Sequence, residues 1–165
     1  MFGVVPKSLW TKTNPADADN MIEMSSRCML VENSDKLILV DTGMGDKQSE
    51  KFFKYYKRWG SDNLVKSINS AGFSIDDVTD VLLTHLHFDH CGGGVAWDSS
   101  KEAYDVLFKN ANYWSNEKHW DWATSPNPRE KASFLDENLF PIKESGQLKF
   151  INNMSQGFNY CEELG

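Results

Sequence analysis

The chain has 165 residues, enough for one domain with a substantial core. Hydrophobic residues make up 40% and charged residues 25% of the sequence, values that exclude wholesale disorder. The net charge of −7 argues against a large basic surface, so we expect no nucleic-acid partner. No apolar run approaches the ~18 residues that a membrane span needs, and we expect no membrane partner.

The cysteines and the start of the chain indicate its compartment. Cys28, Cys91 and Cys161 are an odd number without a Cys-x-x-Cys pair, so they do not form a disulfide framework. The first residues lack the charged and then apolar pattern of a secretory signal. The sequence therefore predicts a cytoplasmic protein, in which Cys91 is a small buried thiol.

The first half of the chain alternates strands with helices. Residues 1–26 are loop-like, because prolines and a polar run interrupt any period. Apolar segments at 28–31 and 37–40, with turn-forming residues between them, predict a β-hairpin. Aromatic residues at i, i+3, i+4 and i+7 predict a helix over 49–59, and a second helix covers about 62–71.

The second half continues this alternation. Asn127, followed by Pro128 and Glu130, resembles the start of a capped helix whose buried stripe includes Leu139. Four further strands are predicted at 78–83, 104–108, 111–114 and 148–151. Those at 104–108 and 111–114 are predicted as a pair, and a helix is predicted at 115–123. Since no linker divides residues 1–165, the sequence predicts a single domain of the α/β class.

The densest chemistry follows the strand at 78–83. His85, His87, Asp89 and His90 lie within six positions, and alternate side chains of an extended segment point the same way. His85 and His87 can therefore bind one metal ion, and Asp89 and His90 can supply a second beside it. Imidazole with carboxylate ligands suits zinc best, with iron or manganese as alternatives.

Two metal ions ~3.5–4 Å apart can hold a shared hydroxide, the nucleophile of a two-metal hydrolase. The pattern thus predicts a metal-dependent hydrolase. Asp89 is the predicted catalytic residue, because it binds metal and can also receive or relay a proton. Chance grouping of surface histidines is the simpler alternative.

These motifs resemble the metallo-β-lactamase superfamily. The resemblance rests on His-x-His-x-Asp-His after a strand and on Asp41-Thr42-Gly43 after an earlier apolar strand. The segment LTHLHFDHCGG is more similar to the lactonase-like branch than to true β-lactamases, which usually lack a residue like His90. The resemblance implies an αβ/βα sandwich and the hydrolysis of a small-molecule ester, lactone or similar bond. It also implies His85 and His87 on a first zinc ion, Asp89 and His90 on a second, and Asp41 orienting these ligands through hydrogen bonds.

The sequence also departs from that family. Its members complete the site with a later histidine, a bridging aspartate and another histidine, whereas His119 is the only histidine here after His90. We therefore interpret the chain as mainly the first half of the sandwich, truncated at its C-terminus and possibly at its N-terminus. Half a sandwich leaves an apolar sheet face uncovered, which predicts self-association or a second polypeptide that completes the fold.

His119 lies among Trp114, Trp120 and Trp122 in a predicted helix. It is a candidate metal ligand or substrate contact, although a packed or surface histidine is the more ordinary interpretation.

Other functions remain open at this point. A non-catalytic metal-binding fragment would explain the missing ligands, and the family also contains nucleases and single-iron sulfur dioxygenases. The aromatic and basic helix KFFKYYKRW could favour a nuclease or phosphodiesterase, but its two residue classes fall on opposite faces. Asp41-Thr42-Gly43 also suits a retroviral-type aspartic protease, for which the sequence lacks the supporting apolar segment.

Overall fold

A computed structural model describes residues 2–151 of the chain. Its main sheet has five strands in the order β1-β2-β3-β6-β7. The first two strands form the predicted antiparallel hairpin, and each remaining neighbour pair is parallel. These strands are β1 (Met29–Asn33), β2 (Lys36–Val40), β3 (Asp80–Leu82), β6 (Asn112–Ser115) and β7 (Leu148–Phe150). The α/β prediction is confirmed.

A second, two-stranded sheet pairs β4 (Val95–Trp97) with β5 (Tyr104–Val106). The predicted pairing of 104–108 with 111–114 is therefore wrong, because β5 pairs with β4 and β6 joins the main sheet beside β3. β4 was not predicted from the sequence, because the glycines at 92–94 that precede it are typical of a bend rather than of a strand.

Six α-helices accompany these strands in residues 2–151: α1 (Lys7–Trp10), α2 (Glu50–Lys54), α3 (Leu64–Ser70), α4 (Phe88–Cys91), α5 (Glu117–Thr124) and α6 (Asp136–Glu144). Short 3₁₀ turns occur at Ile75–Asp77, Gly92–Gly94 and Lys131–Ser133. Asn63 and Asn116 begin α3 and α5 by accepting main-chain N–H groups, which confirms these two predicted helices. No helix in this range is long and apolar enough to cross a membrane.

Three predictions about helices need correction. The helix expected over 49–59 ends at Lys54, because Tyr55 and Trp59, each 70% exposed, have no core to pack against. Asn127 does accept main-chain hydrogen bonds from residues 129 and 130, yet they close only a turn, and α6 starts later at Asp136. The short helix α1 lies within the predicted N-terminal loop.

The core lies on one face of the main sheet. Leu39, Val81 and Tyr113 are paired neighbours on β2, β3 and β6, and all three are buried. Ile68 of α3 and Leu139 of α6 belong to the same buried cluster. This packing holds the ends of β2 and β3, after which the candidate site lies.

The opposite face is more open. Met29, Val40, Leu82, Trp114 and Lys149 form the next row of paired residues, and none of them is buried. Met29 is 58% exposed. We call this row the open sheet face.

The cysteines found in the structure match their sequence interpretation. Cys28 and Cys91 are free thiols, and Cys91 is fully buried. Cys161 lies outside the described residues.

Candidate metal centre

The candidate ligands follow β3 directly. His85 and His87 lie in the irregular segment after this strand, and Asp89 and His90 lie in the single turn of α4. His87 is the residue that precedes the helix, with extended backbone angles, so the chain turns between the two histidines and the Asp-His pair. All four side chains are partly buried rather than fully exposed.

Three of these residues form a group that can hold a metal ion. One ligand atom each from His85, His87 and Asp89 lies within 4.8 Å of the others. Within residues 2–151 this is the one group of three or more histidine, cysteine or acidic residues with such spacing. Two imidazoles and one carboxylate form a donor set that suits zinc, so the residues present fit the ion that the sequence predicts.

His90 adjoins this group. Its ring lies 3.8 Å from the His85 ring between centroids, and its Nε2 lies 3.7 Å from the Asp89 carboxylate. Its other ring nitrogen, Nδ1, lies 2.8 Å from Oδ2 of Asp41. With the proton on Nδ1 donated to this carboxylate, the Nε2 lone pair faces Asp89 and can bind a metal ion.

Asp41 is held in place by a second contact. Its Oδ1 accepts hydrogen bonds from the main-chain N–H and the hydroxyl of Thr84, at 2.8 and 2.9 Å. Asp41 itself has a φ of +58°, a left-handed conformation that aspartate tolerates better than most residues. This conformation ends β2 and places the carboxylate between Thr84 and His90.

The loop after β2 also binds the main chain of residues 84–94, which carry the candidate ligands and which we call the metal segment. The N–H and hydroxyl of Thr42 donate to the carbonyl oxygen of His90 at 2.7 and 3.0 Å. In return, the Gly93 N–H donates to the Gly43 carbonyl at 2.9 Å. A Cβ atom at Gly93 would lie 2.1 Å from the Thr42 carbonyl oxygen, so the two segments touch at a position where only glycine fits.

A buried lysine completes this contact. Lys47 is 5% exposed, and its ammonium donates to the Gly92 carbonyl at the end of α4. Its own carbonyl accepts a hydrogen bond from the Trp97 indole at 3.2 Å. Burial lowers the pKa of Lys47 to about 8. Lys47 is thus held against the end of α4 rather than in solvent.

Among the candidate ligands, His85 has a perturbed pKa. Burial lowers the pKa of His85, and the adjacent His90 and His87 lower it further. A neutral imidazole offers a lone pair to a metal ion, whereas an imidazolium does not. The lowered pKa of His85 therefore favours the neutral ring that can bind a metal ion.

Aromatic rings line one side of the group. Phe88 packs edge-on against Phe52 at 5.2 Å and tilted against Tyr56 at 5.1 Å between ring centroids. Burial raises the pKa of Tyr56, and the nearby Asp89 carboxylate raises it further. This side of the site is consequently apolar and carries neutral side chains.

His119 lies on another side of the site. Its Nε2 accepts a hydrogen bond from the Leu86 main-chain N–H at 3.0 Å, so this nitrogen is not free to bind metal or substrate. His119 does not belong to the group formed by His85, His87 and Asp89.

Sequence reasoning did not assign roles to four residues that contact the candidate ligands or the main chain of the metal segment: Thr42, Thr84, Lys47 and Phe134. The Phe134 ring packs against that of His87 at 4.8 Å between centroids. The glycines of DTGMGDK and of CGGG were a usable indication, since two glycine-rich segments often mark a close approach of two main chains. Lys47 and Phe134 gave no local indication, because their burial depends on tertiary packing.

Comparisons with known proteins agree with this geometry. The sequence model of the Metallo-beta-lactamase superfamily matches residues 22–150. An N-acyl homoserine lactonase of Bacillus cereus is 28% identical over 104 residues, which cover 57% of this chain and 40% of that protein. This chain thus spans less than half the length of that relative.

Solved structures give the same picture. A probable metal-dependent hydrolase from Staphylococcus aureus superimposes with a TM-score of 0.82 and 27% identity, covering 96% of this chain and 55% of that one. AidC, a dizinc quorum-quenching lactonase solved with a homoserine product, superimposes with a TM-score of 0.54 and 27% identity, covering 80% of this chain and 45% of that one.

Proposed function

Since the chain belongs to the metallo-β-lactamase superfamily, we propose that it is a metal-dependent hydrolase of a small-molecule ester, lactone or similar bond. The observation that supports this proposal best is the group formed by His85, His87 and Asp89, whose ligand atoms lie within 4.8 Å of one another. The lactonase relatives favour a lactone as the substrate class.

In this proposal His85 and His87 hold a first zinc ion, and Asp89 and His90 contribute to a second. Bound zinc supplies an activated water as nucleophile and polarises the scissile carbonyl. Asp41 orients His90 by accepting a hydrogen bond from its Nδ1–H, so that Nε2 is available to the metal. Asp89 also receives and relays the proton that hydrolysis releases.

The surroundings of the site suit a substrate with a carbonyl group and an apolar portion. Phe88, Phe52 and Tyr56 form an aromatic cluster near Asp89, and aromatic side chains commonly line sites for ligands with an apolar portion.

A metal analysis combined with a substrate screen tests the proposal. The purified protein should contain zinc, iron or manganese and should open lactones faster than it cleaves a chromogenic phosphodiester. His87→Ala, compared with exposed Lys118→Ala, should lose both metal and activity. Metal content at background level would contradict the proposal, and metal without turnover would support a non-catalytic metal-binding protein instead. Faster phosphodiester cleavage would indicate a nuclease or phosphodiesterase.

We further propose that the open sheet face is covered by self-association or by a second polypeptide. Leu82 and Trp114 lie next to each other in this row and are only partly buried, in contrast to the buried Val81 and Tyr113 beneath them. Covering apolar area stabilises a protein by about 25 cal/mol per Å². Light scattering tests whether the open sheet face is covered in this way. A monodisperse monomer that is stably folded on its own would contradict the proposal.

A further inference from the structure

We propose that His119 is a positioning residue of the metal centre, which fixes the main chain between His85 and His87 by accepting the Leu86 N–H. This inference rests on the proposed function, since it concerns the geometry of the same ligand group. It assigns His119 a role different from that of a metal ligand or a substrate contact.

Leu86 is the point at which the metal segment is anchored. The segment between β3 and α4 has no regular secondary structure, so its main-chain groups need partners elsewhere. The Leu86 side chain is fully buried, its N–H donates to Nε2 of His119, and its carbonyl accepts a contact from the Cys91 thiol at 3.3 Å. Side chain, N–H and carbonyl of this single residue are thus all held.

The hydrogen bond from the Leu86 N–H to His119 affects both histidine ligands because of where Leu86 lies in the chain. Leu86 is the one residue between His85 and His87, so a rotation of its peptide plane redirects both imidazoles. A metal site tolerates only small errors in ligand placement, because donor distances of about 2 Å must be reached simultaneously. Fixing the Leu86 N–H therefore fixes the relative orientation of the two ligands.

His119 is itself held rigidly enough for this task. It lies in the first turn of α5, where its main-chain N–H donates to the Asn116 side chain that begins the helix. Trp120, the next residue, is buried and secures the helix against the core. The acceptor nitrogen therefore belongs to a packed helix and not to a mobile loop.

Phe134 adds a second connection between His119 and the ligands. Its ring is buried and packs edge-on against His87 at 4.8 Å and against His119 at 5.9 Å between ring centroids. A helix residue bound to Leu86 and an aromatic ring packed on His87 thus both hold this part of the chain. Burial and the neighbouring His87 lower the pKa of His119, which agrees with a neutral ring that can accept a hydrogen bond.

Two substitutions distinguish the effect of the His119 hydrogen bond from the effect of its ring packing. His119→Phe keeps a planar ring but removes the acceptor, whereas His119→Gln keeps an acceptor oxygen within reach of the Leu86 N–H. The exposed Asp121→Asn on the same helix is the matched control. Circular dichroism and thermal unfolding establish that each variant is folded.

The first measurement is hydrogen exchange at the Leu86 amide in the metal-free protein, followed by NMR. We expect the amide to be protected in the parent, in Asp121→Asn and, in part, in His119→Gln, and to exchange faster in His119→Phe. Equal protection in His119→Phe and the parent would overturn the proposal. This measurement does not depend on catalysis or on metal.

The second measurement is titration with zinc alone, together with the visible spectrum of the cobalt-substituted protein. We expect His119→Phe to bind zinc ~10–100-fold more weakly, as for other residues that orient ligands, and to alter the cobalt spectrum. His119→Gln should recover most of the affinity. Unchanged affinity and spectrum in a folded His119→Phe would overturn the proposal, whereas a parent that binds no zinc would contradict the proposed function and leave the exchange experiment decisive for His119.

Discussion

The carboxylate of Asp41 lies 2.8 Å from Nδ1 of His90, although the two residues are 49 positions apart in the chain. This contact joins the end of β2 to the helix turn of α4. It determines which nitrogen of His90 is protonated and leaves Nε2 directed towards Asp89.

Asp41→Asn is expected to weaken metal binding without unfolding the protein. An amide in this position can still accept one hydrogen bond, but it no longer offers a charged acceptor to the His90 Nδ1–H. We expect zinc affinity to fall by ~10–100-fold, measured by calorimetric titration. The exposed Asp62→Asn serves as the control. A loss as complete as that caused by removing a ligand would make Asp41 a direct ligand instead.

Removal of a candidate ligand should have a larger effect. His87→Ala deletes one of the three residues whose ligand atoms lie within 4.8 Å, so zinc affinity should fall beyond the ~100-fold limit expected for Asp41. Because His87 lies in a segment outside regular secondary structure, the circular dichroism spectrum should change little. Two results together would contradict this assignment: the variant unfolds, and a chelator leaves the stability of the parent unchanged. His87 would then have a structural role.

The sequence predicted those features of the site that are local. The hairpin, β3 and the spacing of His85, His87 and Asp89 depend on neighbouring residues, and the structure contains all of them. The proximity of Asp41 to His90 was expected from a family resemblance, because no local pattern places two residues 49 positions apart in contact.

The missed features depend on tertiary contacts. β4 follows a glycine run, and its strand exists because β5 pairs with it. The helix expected beyond Lys54 is absent, since amphipathic spacing stabilises a helix only where a core receives its apolar face. Phe134 and Lys47 are buried beside the metal segment by contacts that no periodicity indicates.

Gly93→Ala should disrupt the contact between the loop after β2 and the metal segment. The added Cβ would lie 2.1 Å from the Thr42 carbonyl oxygen, a main-chain atom that cannot move without breaking its neighbours' hydrogen bonds. We expect a loss of about 3 kcal/mol or more, which lowers the melting temperature by roughly 10 °C.

Gly146→Ala is the matched control for this steric effect. Gly146 has a φ of +77° and open space around its Cβ position, so alanine there experiences backbone strain alone, about 1 kcal/mol. Calorimetric unfolding of both variants separates the free-energy cost of the steric clash from that of backbone strain. A Gly93→Ala protein as stable as Gly146→Ala would show that the two segments can separate freely.

Lys47 should make stability depend on pH in the mildly alkaline range. Its pKa is about 8 in the folded protein and near 10.5 in an ordinary environment, because burial disfavours the charged ammonium. Between these values the unfolded chain retains a proton that the folded chain has released. The free energy of unfolding therefore rises with pH through this window, and the penalty for burying the charge is complete only below about pH 8.

Comparison with Lys47→Met isolates this contribution. The stability of the parent relative to the variant should increase by about 2 kcal/mol between about pH 7 and about pH 9.5, measured by urea unfolding. Burial raises the pKa of Cys28 to about 11 and that of Cys91 to about 12, which lowers stability as the pH rises above 9.0. The Lys47 ammonium lowers the pKa of Cys91, but both thiols stay protonated in folded parent and variant up to about pH 9.5, so their contributions cancel in the difference. A difference that stays constant with pH would mean that the Lys47 ammonium remains solvated in the folded protein.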